Sequence, residues 1–383
     1  MGRTLVLTST YPQWEADPRG AFIRRHWEAE ARAGEHVEVL APRTRWCRGT
    51  LGGPLLTHRF AYAPRAWSSL SGQFGILENL REAPRRGLLV PPFLGAMVAA
   101  LRRQLDRADE PFDRVVAHMV LPCGVAASLA AGLTAPEVRL EVYGHGTDVD
   151  LLLGAPRALD AAVRSLLAPA QTLHLPSLDK ARRLRDRFPE LGPKLSVQTM
   201  AQTVEAPADL VRRPIPGRVL YLGRLIAQKG VDRLIRAVTE LARQSPQRGV
   251  HLQIAGDGPE RGRLVALARR TGAPVTFLGF VEGAAKAEAL ATAACLCVPS
   301  RDLGLLSEGA PLVIREASVL GLPVVATAVG GIPELASSCP GPVRLVPPND
   351  APGLVEALRA STDPLSPISQ PRGPSAPKSR RSA

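Results

Sequence analysis

The sequence is poor in cysteine and in aromatic residues, and it has no long apolar run. Its five cysteines form no Cys-x-x-Cys pair, which argues against both a disulfide framework and a zinc site. No segment reaches about 18 uncharged apolar residues, so no membrane-spanning helix is expected. The N-terminus enters a strand pattern directly rather than a secretory leader, and we therefore expect a cytoplasmic protein. Cys295 and Cys297 alternate along one apolar run and are predicted core residues.

Acidic residues are also scarce relative to basic ones. The 48 Lys and Arg against 35 Asp and Glu give a formal net charge of +13. Such an excess suits nucleic acid, an anionic membrane surface or an anionic substrate. Aromatic residues are only 4% and the basic residues are spread through the chain, so no nucleic-acid partner is expected. As a binding partner for this positive charge, the inner face of an anionic membrane, in peripheral contact, is favoured over nucleic acid.

The order of apolar patterns indicates the fold class. A chain of 383 residues exceeds one ordinary core and predicts two domains. Strand patterns alternate with helical patterns throughout, which predicts parallel sheets covered by helices, an α/β fold. The clearest predicted strands are 37–40, 138–142, 219–222, 252–255 and 324–326.

One stretch departs from this alternation. Residues 43–92 are rich in Pro, Gly, Arg and Trp, and we predict a long loop or a helix-containing excursion there. Trp46 and Trp67 within it either anchor the loop or contact an acceptor or a lipid.

Proline-rich segments mark the predicted domain boundaries. The prolines of 205–217 break both helix and strand, so this segment is a predicted linker between domains 1–204 and 218–360. The Ser/Pro-rich, basic residues 361–383 are predicted to form a disordered tail.

Two acids eight positions apart, Glu308 and Glu316, form the most informative pattern. The apolar periodicity from Leu312 predicts a helix that stops at Gly321, so Glu308 lies in the preceding loop and Glu316 one turn inside the helix. A loop that enters a helix offers N–H groups for a developing anion, and an acid one turn in can accept hydrogen bonds from a ribose diol. Taken alone, each acid could equally be a cap or a solvated surface group.

Two cations lie upstream, behind a glycine. Arg224 and Lys229 follow the predicted strand 219–222 and Gly223, the type of position at which open parallel sheets bind ligands. Arg224 can grip a phosphate with two parallel donors, and Lys229 adds a compact charge, as a metal-free diphosphate site needs. In isolation, such cations are usually solvated.

Two histidines in the first half each end an apolar run. Loops gather over the carboxyl ends of parallel strands, so His118 and His145 are both placed near a candidate site. A lone histidine is usually a hydrogen-bonded loop residue. The Gly-His-Gly-Thr-Asp sequence of 144–148 favours a functional role for His145, and the role of His118 stays open.

Six motifs follow one another in order through the second half: 223–230, 255–259, 278–281, 299–300, 308–316 and 330–334. Together they closely resemble family 4 of the retaining glycosyltransferases, and the ordered set is far more specific than any one member. The first half resembles this family more faintly. The resemblance implies the GT-B fold, with two Rossmann-like domains facing a cleft, the donor nucleotide on the second domain and the acceptor mainly on the first.

The resemblance also implies roles for individual residues. The implied catalytic residues are His145, Glu308, Arg224 and Lys229. The implied donor-binding residues are Gly20, Gly223, Phe280, Val281, Gly309, Ala310, Pro311, Leu312 and Glu316. No metal and no cofactor are expected besides the nucleotide-sugar co-substrate. The implied reaction transfers a sugar with retention to a glycan, a lipid-linked acceptor or a small molecule.

Two departures from the family keep alternatives open. Met200–Glu205 replaces the family's usual Gly-Val-Asp segment, and the last recognisable helix ends near Ala360, where family members commonly continue with a helix that crosses back. A catalytically impaired nucleotide-sugar-binding protein is therefore one alternative. A basic nucleic-acid or membrane-binding module without chemistry is the other. The donor base, the donor sugar and the acceptor leave no clear pattern in the sequence.

Overall fold

The computed structural model describes residues 2–15, 17, 19–72, 75–134, 138–198, 210–304 and 307–362. The chain forms two compact units. Unit 1 comprises Met1–Thr203 and Asp302–Ala310, and unit 2 comprises Val204–Arg301 and Pro311–Ala383. The segment 302–310, which the sequence assigned to the second domain, thus groups with unit 1.

Several predicted features lie outside the described residues. They are the Met200–Glu205 departure, linker residues 205–209 and tail residues 363–383. The described part of the linker, 210–217, contains neither helix nor strand.

Unit 1 is built on one sheet of seven parallel strands in the order β3-β2-β1-β4-β5-β6-β7. The strands are β1 (Arg3–Thr8), β2 (His36–Pro42), β3 (Leu56–Phe60), β4 (Arg114–His118), β5 (Arg139–Tyr143), β6 (Thr172–Leu175) and β7 (Leu195–Val197). Its helices are α1 (Ala21–Arg32), α2 (Ile76–Glu82), α3 (Val90–Arg107), α4 (Val125–Thr134), α5 (Thr147–Gly154), α6 (Asp160–Leu167) and α7 (Leu178–Arg187). The strand order reverses between β1 and β4, and such a switch point is where open α/β sheets bind ligands.

Unit 2 has a sheet of six parallel strands in the order β10-β9-β8-β11-β12-β13. The strands are β8 (Arg218–Leu222), β9 (His251–Ala255), β10 (Val275–Gly279), β11 (Cys295–Val298), β12 (Val324–Thr327) and β13 (Val343–Val346). The helices are α8 (Val231–Gln244), α9 (Arg261–Thr271), α10 (Gly283–Thr292), α11 (Leu312–Val319), α12 (Ile332–Ser337) and α13 (Ala351–Ser361). Relabelled from its first strand, this is the 3-2-1-4-5-6 order of a Rossmann sheet, with its switch point between β8 and β11.

The structure confirms the α/β fold class and all five strands singled out in the sequence. Central parallel strands are buried on both faces and therefore appear as continuous apolar runs. β11 is such a strand, and the side chains of Cys295 and Cys297 within it are fully buried, as predicted. Among the described residues, no helix is both long and apolar enough to cross a membrane.

The stretch 43–92 is more ordered than a loop. It contains the edge strand β3, which pairs in parallel with β2, and the helix α2. Trp46 is half-buried, with the Arg45 guanidinium 4.4 Å from its ring centroid, so it packs as an anchor. Trp67 is 68% exposed, which leaves its predicted contact with an acceptor or a lipid untested.

Candidate functional site

In unit 1, the loop that carries His145 is fixed by one buried carboxylate. Asp148, in the first turn of α5, accepts hydrogen bonds from the backbone N–H of His145 at 2.9 Å and of Val120 at 2.6 Å. These bonds tie the loop after β5 to the loop after β4. Burial raises the pKa of Asp148, whereas the two N–H donors favour its charged form. The Gly-His-Gly-Thr-Asp sequence therefore includes the carboxylate that fixes the backbone of its own histidine.

The ring of His145 is held by aromatic neighbours. Nε2 of His145 lies 3.0 Å from Nδ1 of His118, and the two rings stack with centroids 5.2 Å apart. The edge of Phe22 meets His145 at a centroid distance of 5.2 Å. Trp27 donates its indole N–H to Nε2 of His118 at 2.8 Å. The structure thus places His118, whose role the sequence left open, in direct contact with His145.

Burial lowers the pKa of both histidines and so favours their neutral forms. Burial lowers the pKa of His145 to about 4. Burial, followed by the neighbouring His145, lowers the pKa of His118 well below its usual 6.5. A neutral imidazole carries one donor and one acceptor, so this pair acts through hydrogen bonds rather than charge.

Gly20 positions the start of α1 beside this ring. Its φ is +72°, and a Cβ at this residue would come within 2.5 Å of the Thr10 carbonyl oxygen, so only glycine fits. Because Phe22 follows two residues later, Gly20 lies in the same part of unit 1 as His145.

The segment that carries Glu308 is anchored in unit 1 through Ser307. The Ser307 N–H donates to Asp150 Oδ2 at 3.1 Å, and the Lys180 ammonium donates to Ser307 Oγ at 2.7 Å. Lys180 and Asp150 also form an ion pair in which both side chains are fully buried. Arg183 adds a hydrogen bond to Ser307 Oγ at 3.2 Å.

This anchor brings Glu308 and His145 into one region of unit 1. Glu308 is 7% exposed, and a Cβ at Gly309 would lie 4.0 Å from the His145 carbonyl oxygen and 3.4 Å from Pro176 Cγ. Asp150, Lys180 and Ser307 were not predicted from the sequence. The sequence gives one hint of this anchor, because Asp150 lies two residues beyond Asp148 in the segment that follows His145.

In unit 2, Arg224 and Lys229 follow β8 as predicted. Arg224 is exposed, and its carbonyl accepts a hydrogen bond from the Tyr221 hydroxyl at 2.8 Å. The Gly223 N–H donates to the Ala255 carbonyl of β9 at 3.0 Å. Half-buried Lys229 ends a short 3₁₀ turn, and Gly230 at φ +64° closes the turn against the Pro299 carbonyl, where a side chain would clash.

Glu316 lies one turn inside α11, as the periodicity predicted. It accepts a hydrogen bond from Lys286 Nζ of α10 at 2.7 Å, and its side chain is 17% exposed. The predicted donor-binding run before it divides between the units: Gly309 and Ala310 belong to unit 1, and Pro311 and Leu312 to unit 2. Pro311 caps the N-terminus of α11.

Phe280 and Val281 follow β10, on the far side of β9 from β8. Phe280 is 55% exposed, so its ring is accessible to a planar ligand. The end of β10 is hydrogen-bonded to the loop after β9, because the Gly256 N–H donates to the Gly279 carbonyl at 2.6 Å.

A cavity of about 700 Å³ lies elsewhere in unit 2, against α8 and α13. Its wall includes Arg233, Arg236, Thr327 and Asn349, and none of the predicted site residues lines it. The cavity is thus separate from the residues that the sequence singled out.

Two units, each with a parallel sheet covered by helices, give the fold of the GT-B glycosyltransferases. Residues 216–362 match the family described as glycosyl transferases group 1. The second half of the chain is thus similar in sequence to this family of glycosyltransferases. The predicted resemblance to a glycosyltransferase family is therefore confirmed.

Curated relatives are similar in sequence over most of the chain, and a solved structure has the same fold. The chain is 28% identical over 375 residues to a Bacillus subtilis (strain 168) protein named as a teichuronic acid biosynthesis glycosyltransferase, TuaC. The alignment covers 93% of this chain and 88% of the relative. It is 27% identical to a Corynebacterium glutamicum GDP-mannose-dependent monoacylated α-(1-6)-phosphatidylinositol monomannoside mannosyltransferase, over 67% of this chain and 68% of the relative. The crystal structure of Anabaena HepE with UDP and glucose aligns with a TM-score of 0.63 at 17% identity, covering 94% of this chain and 89% of HepE.

Proposed function

We propose that this glycosyltransferase moves a sugar from a nucleotide-sugar donor to an acceptor hydroxyl, with retention at the anomeric carbon and without a metal ion. The observation that carries the proposal is the turn 223–230 of unit 2, which sets Arg224 and Lys229 behind β8 at the switch point of its sheet.

In this proposal, the two cations hold the donor diphosphate. Arg224 offers a planar pair of N–H donors and Lys229 a compact charge, so together they can offset the negative charge that grows as the diphosphate leaves. The start of α11 adds the positive end of a helix dipole, which favours a nearby anion. Each such preorganised donor is commonly worth about 3 kcal/mol of transition-state stabilisation.

Glu316 is proposed to bind the ribose. A carboxylate accepts several hydrogen bonds, so Glu316 can accept from a ribose diol while it also accepts from Lys286. Phe280 and Val281 are proposed to lie along the base, where backbone groups can contact its edge.

Glu308 and His145 are proposed to contact the transferred sugar. Glu308 orients the sugar through its carboxylate and does not attack it. The bond from the anomeric carbon to the diphosphate oxygen breaks, the bond to the acceptor oxygen forms on the same face, and the leaving diphosphate oxygen takes the acceptor proton. No covalent glycosyl-enzyme and no metal is needed in this scheme, and retention follows from the shared face.

The relatives narrow the choice of substrates to be tried. One is named for GDP-mannose and a phosphatidylinositol mannoside, and HepE was solved with UDP and glucose. We infer that the acceptor is a glycan, a lipid-linked sugar or a small molecule, and that the protein works in the cytoplasm, in peripheral contact with the anionic inner face of a membrane. Vesicles with and without anionic lipid test that contact, because the net charge of +13 should make the binding depend on salt.

The test of the nucleotide site begins with thermal unfolding in the presence of UDP, GDP and ADP. A nucleotide at one hundred times its Kd stabilises the fold by about 2.7 kcal/mol if it binds only the folded state. Calorimetry with the best ligand then compares Arg224→Ala and Lys229→Ala with the control Arg236→Ala, an exposed arginine of α8.

We expect the first two variants to lose at least about tenfold in affinity for the nucleoside diphosphate, or about 1.4 kcal/mol each, and little for the nucleoside. Arg236→Ala should bind both ligands as wild type does. An equal loss for diphosphate and nucleoside would overturn the diphosphate role. Nucleotide binding without turnover for any donor would favour the catalytically impaired alternative.

A further inference from the structure

Unit 1 buries a hydrogen-bonded chain of three side chains that ends at His145. The Trp27 Nε1–H group lies 2.8 Å from His118 Nε2, and His118 Nδ1 lies 3.0 Å from His145 Nε2. Trp27 is 1% exposed and His118 is fully buried. Tyr143 also stacks on His118, with centroids 5.0 Å apart, and so restricts rotation of that ring.

The direction of this chain follows from its first member. An indole N–H can only donate, so Nε2 of His118 must accept. A neutral imidazole with an accepting Nε2 carries its proton on Nδ1. That proton points at His145, whose Nε2 must then accept in turn. The remaining proton of His145 is thereby assigned to its Nδ1.

The opposite arrangement would leave buried groups unpaired. If His118 carried its proton on Nε2, it would face the Trp27 N–H donor to donor and present a lone pair toward His145. Buried polar groups are rarely left without partners, because they have given up water. Among the described residues, no hydrogen bond is seen from Nδ1 of His145, so this N–H can serve a ligand.

We propose that Trp27 and His118 are positioning residues that fix His145 in its Nδ1–H tautomer and so present a single hydrogen-bond donor to a hydroxyl oxygen of the substrate. The catalytic part of this proposal rests on the proposed glycosyl transfer. The assignment of the tautomer does not, because it depends only on the protein's own groups. Trp27 and His118 would act through His145 and need not touch the substrate.

The first experiment reads the tautomer directly. In protein with ¹⁵N-labelled histidine, long-range proton-nitrogen spectra distinguish protonated from unprotonated ring nitrogens, and His145→Gln assigns the His145 signals. We expect Nδ1 of His145 to be protonated and Nε2 to be unprotonated in wild type. A protonated Nε2 would overturn the proposal.

Trp27→Phe then removes the N–H donor and keeps an aromatic ring. We expect it to mix the His118 tautomers and to shift the His145 nitrogens toward an average of the two forms. The matched control is Trp46→Phe, which should leave the His145 signals unchanged. Trp46 is a half-buried tryptophan that takes no part in the hydrogen bonds from Trp27 to His145. If Trp27→Phe does not fold, His118→Phe removes the next donor and should shift the same signals.

Kinetics complete the test. Trp27→Phe should lower kcat by about tenfold, which corresponds to about 1.4 kcal/mol, and leave the affinity for the nucleoside diphosphate unchanged. A shifted tautomer with an unchanged kcat would overturn the positioning role. A wild type that turns over no donor but shows the fixed tautomer would instead contradict the proposed function, because the spectrum alone decides the tautomer.

Discussion

In unit 1, His145 and Glu308 lie among buried, hydrogen-bonded side chains, whereas in unit 2 exposed Arg224 and half-buried Lys229 lie on a glycine turn. His145 and Glu308 are held by buried partners, among them the fully buried Lys180–Asp150 pair. Arg224, in contrast, is exposed on the turn that closes at Gly230.

This difference matches two kinds of ligand chemistry. Neutral hydroxyl groups are recognised by hydrogen bonds of fixed direction, which require side chains that cannot rotate. A diphosphate is recognised by charge, and an exposed cation such as Arg224 reaches it without first being desolvated. We therefore expect variants in unit 1 to change stability and turnover, and variants in unit 2 to change nucleotide affinity.

The largest effect is expected from the buried ion pair of unit 1. Lys180→Met leaves the Asp150 carboxylate buried without its partner and should lower the free energy of unfolding by about 3–5 kcal/mol in urea titrations. The control is Arg243→Ala, which breaks an exposed pair with Glu240 and should change little. The double variant Lys180→Met/Asp150→Leu should recover part of the loss, because the Ser307 N–H still lacks its acceptor, and a double variant as unstable as the single one would contradict this explanation.

A second expected effect is a loss of stability in acid that originates in unit 1. Because the folded protein lowers the pKa of His145 to about 4, the unfolded chain, with an ordinary value of about 6.5, takes up its proton first as the pH falls. The free energy of unfolding should therefore decrease between about pH 6.5 and about pH 4, by on the order of 3 kcal/mol for His145. His118 acts in the same direction.

Urea unfolding at several pH values measures this dependence. His145→Gln should flatten the slope relative to wild type. An identical slope in wild type and in His145→Gln would show that this histidine is not the titrating group.

His145→Ala should separate turnover from nucleotide binding. We expect sugar transfer to fall by roughly a hundredfold, or about 2.7 kcal/mol, and the affinity for the nucleoside diphosphate to stay within about threefold. Steady-state kinetics and calorimetry on the same folded variant provide both values. Normal turnover would give this histidine a purely structural role.

The smallest effect is expected at Glu316. Glu316→Gln keeps the shape of the side chain but removes the charge, and charge-assisted hydrogen bonds are about twice as strong as neutral ones, so nucleoside and nucleoside diphosphate should both bind about fivefold more weakly. Lys286→Met removes the ion-pair partner and keeps the acid, so it should bind the nucleoside nearly as wild type does. Unchanged affinity of Glu316→Gln in calorimetry would rule out the ribose role.

The two units also differed in how much of each could be predicted. In unit 2, the turn after β8 and the position of Glu316 in α11 follow from local signals, namely an apolar run, a glycine and helical periodicity. In unit 1, the anchor of the Glu308 segment joins Lys180 to Ser307 across 127 residues, and no local pattern reports such a pairing. A single lysine in an amphipathic helix gives no sign that it is fully buried.

β3 was missed for a different reason. It is an edge strand with a polar middle, in which His58 lies 2.7 Å from the Glu38 carboxylate of β2. Edge strands of this kind lack the continuous apolar run that marks a central parallel strand. His118 was visible as a histidine at a strand end, but its role depended on Trp27, which lies 91 residues away.

The most direct test of the account is the anomeric configuration of the first product formed from the donor that wild-type protein binds most tightly. NMR of the reaction mixture reports this configuration through the one-bond carbon–proton coupling at the anomeric carbon, before any slow equilibration of a free sugar. We expect a new linkage with the same anomeric configuration as the donor, formed in the presence of a metal chelator. An inverted linkage, or transfer that stops when the metal is removed, would contradict it.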